Sequence, residues 1–230
     1  MAEKVTRRTQ EEDVRQYFER IARRFDSYYR QEADTGGLVG RIAHHVFRKP
    51  AMACRFEKTF EFLGDLPGET ILDAGCGSGI YSIEIARRAG RAVGVDVSQI
   101  MIDMAGKNAK EADVEDRCRF LVQDVMGLEP GRETYRTCLA IGFFDYIRPE
   151  KQRDVLAKLL SLAETDVIVT FPKKWVPATF FRKVWFLKKR LDVYFFTRKQ
   201  VDSLVDLEEV DITYVNCRSV WTVRFAKRAG

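Results

Sequence analysis

The sequence predicts an α/β domain, doubly wound, with a mostly parallel seven-stranded sheet, helices on both faces and a C-terminal antiparallel β-hairpin. Three observations predict it. From residue 70 onward, short apolar runs alternate with amphipathic stretches, the pattern of βαβ units on a parallel sheet. The first run, ILDA, leads straight into GCGSG and then a helical pattern, which is how such sheets open a ligand cradle. The last two runs, VDITYVNC (210–217) and SVWTVRFAK (219–227), are β-rich with almost nothing between them, which reads as a hairpin.

Taken in order, residues 11–30 place Val14, Tyr17, Phe18, Ile21, Phe25, Tyr28 and Tyr29 at spacings of three and four, an amphipathic helix ended by DTGG. A second helical stretch spans about 40–63, with Pro50 interrupting or restarting it. Strands follow at 70–74, 92–96, 118–124, 137–142 and 166–171. Helices are predicted to about Ala89, over SQIMIDMAGKNAKEA and over PEKQRDVLAKLLSLA. FTRKQVDSLV offers a capping box, Thr197 with Gln200, that opens a last helix before the hairpin. The division expected is an N-terminal helical segment, 1–64, and a ligand-binding domain, 65–230, with an insertion at 172–196.

Composition narrows the class. In 230 residues, 46% of them apolar, one α/β domain can build a full core. No run approaches the roughly 18 apolar residues of a membrane span, and MAEKVTRRTQEED has no apolar stretch behind it, so a cytoplasmic protein is expected. The five cysteines are odd in number and scattered, and only two histidines accompany them, which predicts a reducing compartment and no structural metal. A net charge of +5 favours anionic ligands without requiring nucleic acid.

The glycines lie at the switch point beside the first strand, where bare backbone lets a ligand approach. A dinucleotide fingerprint would read G-x-G-x-x-G and set a pyrophosphate at the helix start. Here the third glycine is one place early, and Asp73 stands where it would repel phosphate, so a ligand with a cationic end fits better. A turn that merely links strand to helix is the bland alternative. Asp96, at the tip of the second strand, can accept from a ribose diol, as it would also for a dinucleotide.

DAGCGSG resembles motif I of the class I S-adenosylmethionine-dependent methyltransferases, a resemblance that extends over about residues 55–230. It implies a Rossmann-like sheet and S-adenosylmethionine as cofactor, held by Asp73, Gly75, Cys76, Gly77 and Gly79. It further implies that Asp96 takes the ribose hydroxyls, that Val97 and Met101 pack on adenine, and that Asp124 accepts from the adenine amino group beside the Val125 amide. A turn cap is the other reading of Asp124. The backbone around Ile141, from Ala140 to Gly142, would line the methionine arm. Tyr135-Arg136 departs from the Tyr-Asp pair that many relatives carry before this strand, so the hydrogen bonds of that Asp are in doubt.

YFERIARRFDSYY is similar to the opening helix of ubiquinone-type and magnesium-protoporphyrin methyltransferases, which implies a helical lid. As a lid it would bring Tyr17, Phe25 and Tyr29 around a sulfonium, aromatic faces suited to a cation; a helix that only packs on the sheet is the alternative. Methyl transfer needs alignment above all, and an oxygen acceptor also needs a base. The candidates are His44, His45, Asp145, Tyr29, Tyr28 and Tyr17.

The insertion, FPKKWVPATFFRKVWFLKKRLDVYFF at 171–196, interleaves basic and aromatic side chains. It leaves open a pocket for an amphiphilic anion, peripheral membrane contact through 173–190, an RNA face, or an ordinary solvated helix. The modest net charge and the lack of an RNA-binding module count against nucleic acid. The reading expected is a methyltransferase acting on a small anionic or aromatic molecule, most simply at oxygen. A lipid methyltransferase and a silent cofactor-binding protein are the alternatives, and the oligomeric state is open.

Overall fold

The computed structural model describes residues 49–131, 133–176 and 192–228, together with 12, 14–17 and 19. Helix α1 (Lys49–Leu63) leads into β1 (Thr70–Ala74), α2 (Ile80–Arg87), β2 (Arg91–Asp96), α3 (Gln99–Glu111) and β3 (Cys118–Val122). Then come β4 (Tyr135–Ala140), α4 (Pro149–Leu162), β5 (Ala163–Pro172), the short α5 (Arg198–Asp202), β6 (Val210–Cys217) and β7 (Val220–Lys227). Pro50 thus restarts a helix: it lies in the first turn of α1, where its missing N–H has no partner to lose.

The strands form one seven-stranded sheet in the order β3-β2-β1-β4-β5-β7-β6. The first five are parallel, while β7 runs antiparallel to β5 and β6 antiparallel to β7. The order reverses between β1 and β4, so the crevice above β1 is the switch point. β4 and β5 begin earlier than the apolar runs indicate, at Tyr135 and Ala163, and β3 ends at Val122, with Gln123 N–H making one further ladder bond to Asp96 O.

Period-two alternation builds two cores. Leu72, Ala74, Val95, Cys138, Ala140, Val167, Val169 and Phe171 face α4 and the hairpin side. Ile71, Ala92, Leu139 and Ile168 face α1 and α2, where Phe56, Phe60 and Tyr81 form an aromatic cluster with Phe56–Tyr81 centroids 5.4 Å apart. The predicted capping box is present at α5: Thr197 Oγ1 accepts from Gln200 N–H, and Gln200 Oε1 accepts from Thr197 N–H at 2.9 Å.

One correction to the sequence reading concerns side chains. Cys54 and Cys217 are joined in a disulfide, so the cysteines are not all free thiols as expected. Their partners are 163 residues apart, and scattered spacing cannot reveal a pair that only the fold brings together. Arg136 stands where many relatives carry an Asp. Its guanidinium reaches down to Asp65 O, at 2.7 Å, and to Leu63 O, capping the carbonyl end of α1.

Among the described residues, no helix is long and apolar enough to cross a membrane.

Candidate active site

The cradle is built by three alternate left-handed residues, Gly75 at φ 69°, Gly77 at φ 52° and Gly79 at φ 82°. A side chain at Gly75 would meet Phe143 Cδ2 at 2.5 Å, and one at Gly79 would meet Ala105 Cβ at 3.0 Å. Glycine is therefore required here by backbone conformation and by space together. The loop is hung on the second strand, since Gly75 N–H and Cys76 N–H both donate to Val95 O, at 2.8 and 3.1 Å.

Asp96 closes the cradle. Its Oδ2 accepts from Gly77 N–H at 3.0 Å and its Oδ1 from Ser98 N–H at 2.9 Å. An ionised carboxylate has about four acceptor positions, so two remain for a diol. Burial pushes the Asp96 carboxyl upward, while the amide hydrogen bonds oppose the shift.

Asp73 lies one strand over, 2% exposed, with its Oδ2 accepting from Ser82 Oγ at 2.7 Å. Burial raises its pKa to about 6; the Ser82 hydrogen bond opposes this and the charge of Asp96 adds to it. Two acids made uncomfortable by burial and by each other favour a cation in the crevice. Burial pushes the neighbouring Cys76 thiol well up, which disfavours its thiolate.

The adenine side is only partly as expected. Val97 is exposed and available to a ring. Met101 is not: it is 1% exposed, turned inward on α3, whereas Ile100 is the exposed neighbour. Ser98 caps that helix, accepting from Met101 N–H at 3.4 Å, and this fixes the phase that buries Met101. Asp124 does cap a 3-10 turn, with Oδ1 accepting from Met126 N–H at 2.9 Å, yet it stays exposed with Oδ2 open to a ligand. Val125 is buried beside it.

On the other side, Gly142, at φ 71°, donates its N–H to Thr170 Oγ1 at 2.7 Å, which pins the turn after β4. A Cβ at Gly142 would lie 3.5 Å from Arg55 Nη1, so α1 delivers a cation to this turn. Sequence reading missed Arg55, Phe143 and Thr170, none of which sits in a motif. Ile141 is half-buried against the α1 side of the sheet.

Tyr17 is buried and packs with Val14, Tyr146 and Val193, which brings the N-terminal helix against the segment after β4 and the end of the insertion. Asp145, expected as a base, is 5% exposed and its backbone carbonyl accepts from Tyr194 N–H at 2.8 Å. Phe25, Tyr28, Tyr29, His44 and His45, and the insertion from 177 to 191, lie outside the described residues.

Residues 71–166 match the methyltransferase domain family. That match runs from β1 into β5 and takes in less than half of the chain. Over 122 residues it is 30% identical to the magnesium-protoporphyrin O-methyltransferase of Synechocystis sp., covering 53% of this chain and 52% of that protein. Over 86 residues it is 34% identical to the ubiquinone biosynthesis O-methyltransferase of Alkalilimnicola ehrlichii, covering 37% of this chain and 35% of that one. The chain thus spans about half the length, or less, of the curated relatives it matches.

The likeness of fold extends further than these matches. The crystal structure of magnesium protoporphyrin IX methyltransferase from Synechocystis PCC 6803 with bound SAH superposes at TM-score 0.74 and 22% identity, covering 96% of this chain and 100% of that one. The 1,6-didemethyltoxoflavin-N1-methyltransferase of Burkholderia thailandensis superposes at 0.61 and 18%, covering 93% and 90%. S-adenosylmethionine is the methyl donor of this class. The residues present fit it: a cradle in which a Cβ at Gly75 or Gly79 would meet its neighbours, beside the buried Asp73 and the half-buried Asp96.

Proposed function

We propose that the protein is an S-adenosylmethionine-dependent methyltransferase acting on a small anionic or aromatic molecule, at oxygen. The observation that carries the reading is the coupling of the glycine cradle to Asp96, with Asp73 buried beside it. When bound, the cofactor supplies an electrophilic methyl group on a sulfonium.

The chain's own residues do the rest by positioning. Asp96 would hold the ribose diol, Val97 and Asp124 the adenine, and the bare edge of Gly75 and Gly77 the methionine arm. Asp73 offers negative charge to an ammonium, and Arg55, across Gly142, offers positive charge to a carboxylate. Alignment of this kind is worth on the order of 7–11 kcal/mol to a displacement when the geometry is good. Tyr17 packs with Tyr146 and Val193, and this group would close the acceptor side.

The O-methyltransferase names of the relatives and the basic, aromatic composition of 172–196 support an anionic or aromatic acceptor. The test is transfer from methyl-labelled S-adenosylmethionine to a panel of aromatic carboxylates, phenols and tetrapyrroles. Label appearing in a base-labile ester or in an aryl ether supports the reading. A bound cofactor with no labelled product from any class points instead to a silent binding protein.

A second reading is favoured by one side chain. Trp175 is 81% exposed beside Lys174, whose Nζ lies 5.5 Å from its ring centroid, at the mouth of the basic insertion. Such a pair suits an anionic membrane surface on which an apolar acceptor would be met. Salt-sensitive pelleting with phosphatidylglycerol vesicles, lost in Trp175→Ala with Lys174→Glu, distinguishes it from a soluble acceptor.

A further inference from the structure

The disulfide lies where the fold makes it consequential. β7 runs antiparallel to β5, with Val220 opposite Pro172, so the turn from Cys217 to Val220 stands at the carboxyl edge of the parallel strands, the edge that carries the site. α1 runs down from that edge toward β1, and its upper turns therefore carry Cys54 and Arg55 beside it. Below Cys54 the helix is held by Phe56, Phe60 and Leu63 in the core; above it on α1, Ala51 is the only buried apolar side chain among the described residues. The bond to Cys217 ties the upper part of α1 covalently to the turn after β6.

The two sulfurs are unequal. Cys217 is fully buried, whereas Cys54 is partly exposed, so a thiolate from solution reaches Cys54 first. Each cysteine is followed by an arginine, Arg55 and Arg218, and the Thr222 hydroxyl donates toward Cys217 Sγ at 3.9 Å. Lys173 lies close by, its Nζ donating to Arg218 O at 2.7 Å and to Asn216 Oδ1. Cationic and hydroxyl neighbours stabilise a departing thiolate. The other three cysteines are poor competitors, since burial pushes the Cys76, Cys118 and Cys138 thiols up, Cys118 to about 11.

We propose that Cys54–Cys217 is a reversible redox site, opened by a dithiol reductant, whose state sets how firmly the upper turns of α1 are held at the ligand edge. A thiolate of the reductant attacks Cys54 Sγ, the Cys54–Cys217 bond breaks, and its electron pair leaves on Cys217 Sγ, which then takes a proton. The reductant's second thiolate attacks the mixed disulfide and expels Cys54 as thiolate, and the reductant departs as its own disulfide. Two electrons enter the protein. The upper end of α1 then loses its covalent tie to the turn after β6, while the aromatic cluster below holds the rest.

The experiment uses the full chain purified under air, before and after equilibration with dithiothreitol under native conditions. Thiols are trapped by acid quench and alkylation in denaturant, then counted by mass spectrometry. Three labelled cysteines are expected in the oxidised form and five in the reduced form, with three again after re-oxidation by glutathione disulfide. Hydrogen exchange is read at amides 53–58, whose helical bonds run to carbonyls 49–54. These should exchange at least tenfold faster on reduction, while β1 and β4 amides are unchanged.

Cys54→Ser should show the fast pattern with or without reductant. Five labelled thiols in the air-purified protein, resistance to dithiothreitol short of global unfolding, or equal exchange in the two forms would overturn the proposal. Binding of S-adenosylhomocysteine to the same samples reads the proposed function separately, because its absence from both forms leaves the redox result standing.

Discussion

The amide of Gly77 donates to Asp96 Oδ2 at 3.0 Å, so the glycine loop that follows the first strand is latched to the acid that ends the second. The two are 19 residues apart in sequence and belong to neighbouring parallel strands, whose register sets Asp73 opposite Gly94 and Ala74 opposite Val95. One carboxylate thus shapes the cradle and presents its remaining acceptors to a ligand.

The double role of Asp96 predicts an asymmetry between two substitutions. Asp96→Ala removes the latch and the diol acceptors and should weaken S-adenosylhomocysteine binding by at least 100-fold, since hydrogen bonds to a charged group contribute about 1.5–3 kcal/mol each. Asp96→Asn keeps one acceptor oxygen and should lose about 10-fold, or roughly 1.4 kcal/mol. Calorimetry on both variants, with folding checked by circular dichroism, measures the difference.

Gly75 tests the cradle itself. Gly75→Ala forces a left-handed φ on a residue with a Cβ and drives that Cβ into Phe143, so stability should fall by about 1–3 kcal/mol. Adding Phe143→Ala should relieve the collision and leave the conformational strain. A partial recovery of the melting temperature in the double variant is therefore expected, and full recovery would show that φ at this position is unconstrained.

Asp73 makes binding depend on pH. Its pKa in the free protein stands near 6, above the ordinary 3.8, so the folded state binds its proton more tightly than the unfolded chain does. From this group alone, stability is greatest below the unfolded value and is lost as pH rises through about 6. A cationic ligand prefers the ionised form. Affinity for S-adenosylmethionine should therefore fall as pH is lowered through 6, approaching tenfold per unit below it.

Asp73→Asn separates these effects: it should melt several degrees higher than the wild type at pH 8, bind at least 10-fold more weakly, and lose the pH dependence. Thermal melts and titrations at pH 5, 6, 7 and 8 suffice.

Arg55 predicts a contrast between ligands. If its guanidinium serves the methionine carboxylate, Arg55→Gln should weaken S-adenosylmethionine by about 5- to 30-fold, as expected for a charge-assisted hydrogen bond worth about 1–2 kcal/mol. Decarboxylated S-adenosylmethionine should bind wild type and variant alike. An equal loss for both ligands would assign Arg55 to the scaffold.

Much of this was legible because it is local. The alternation of ILDA and the acid at the end of AVGVD fix Asp73 and Asp96 at strand positions, and period and turn chemistry place the glycines between them. What was illegible depends on helix phase or on long separations. Met101 and Ile100 differ by one position on α3, and only the cap at Ser98 decides which faces inward. Arg136 meets Leu63 O from 73 residues away, and Cys54 meets Cys217 from 163, distances over which no pattern reports. Thr137 and Arg224 likewise both meet the buried Asp166, a polar knot between β4, β5 and β7 that no motif announces.

The central claim is that the cradle of Gly75, Gly77 and Gly79, closed by Asp96 and charged by Asp73, holds S-adenosylmethionine. Isothermal calorimetry of the wild-type chain with S-adenosylmethionine at pH 7.5 tests it most directly. The account predicts one site per chain with saturable binding, reduced at least 100-fold by Asp96→Ala. Absence of binding to a folded wild-type protein, or equal binding by that variant, would contradict it.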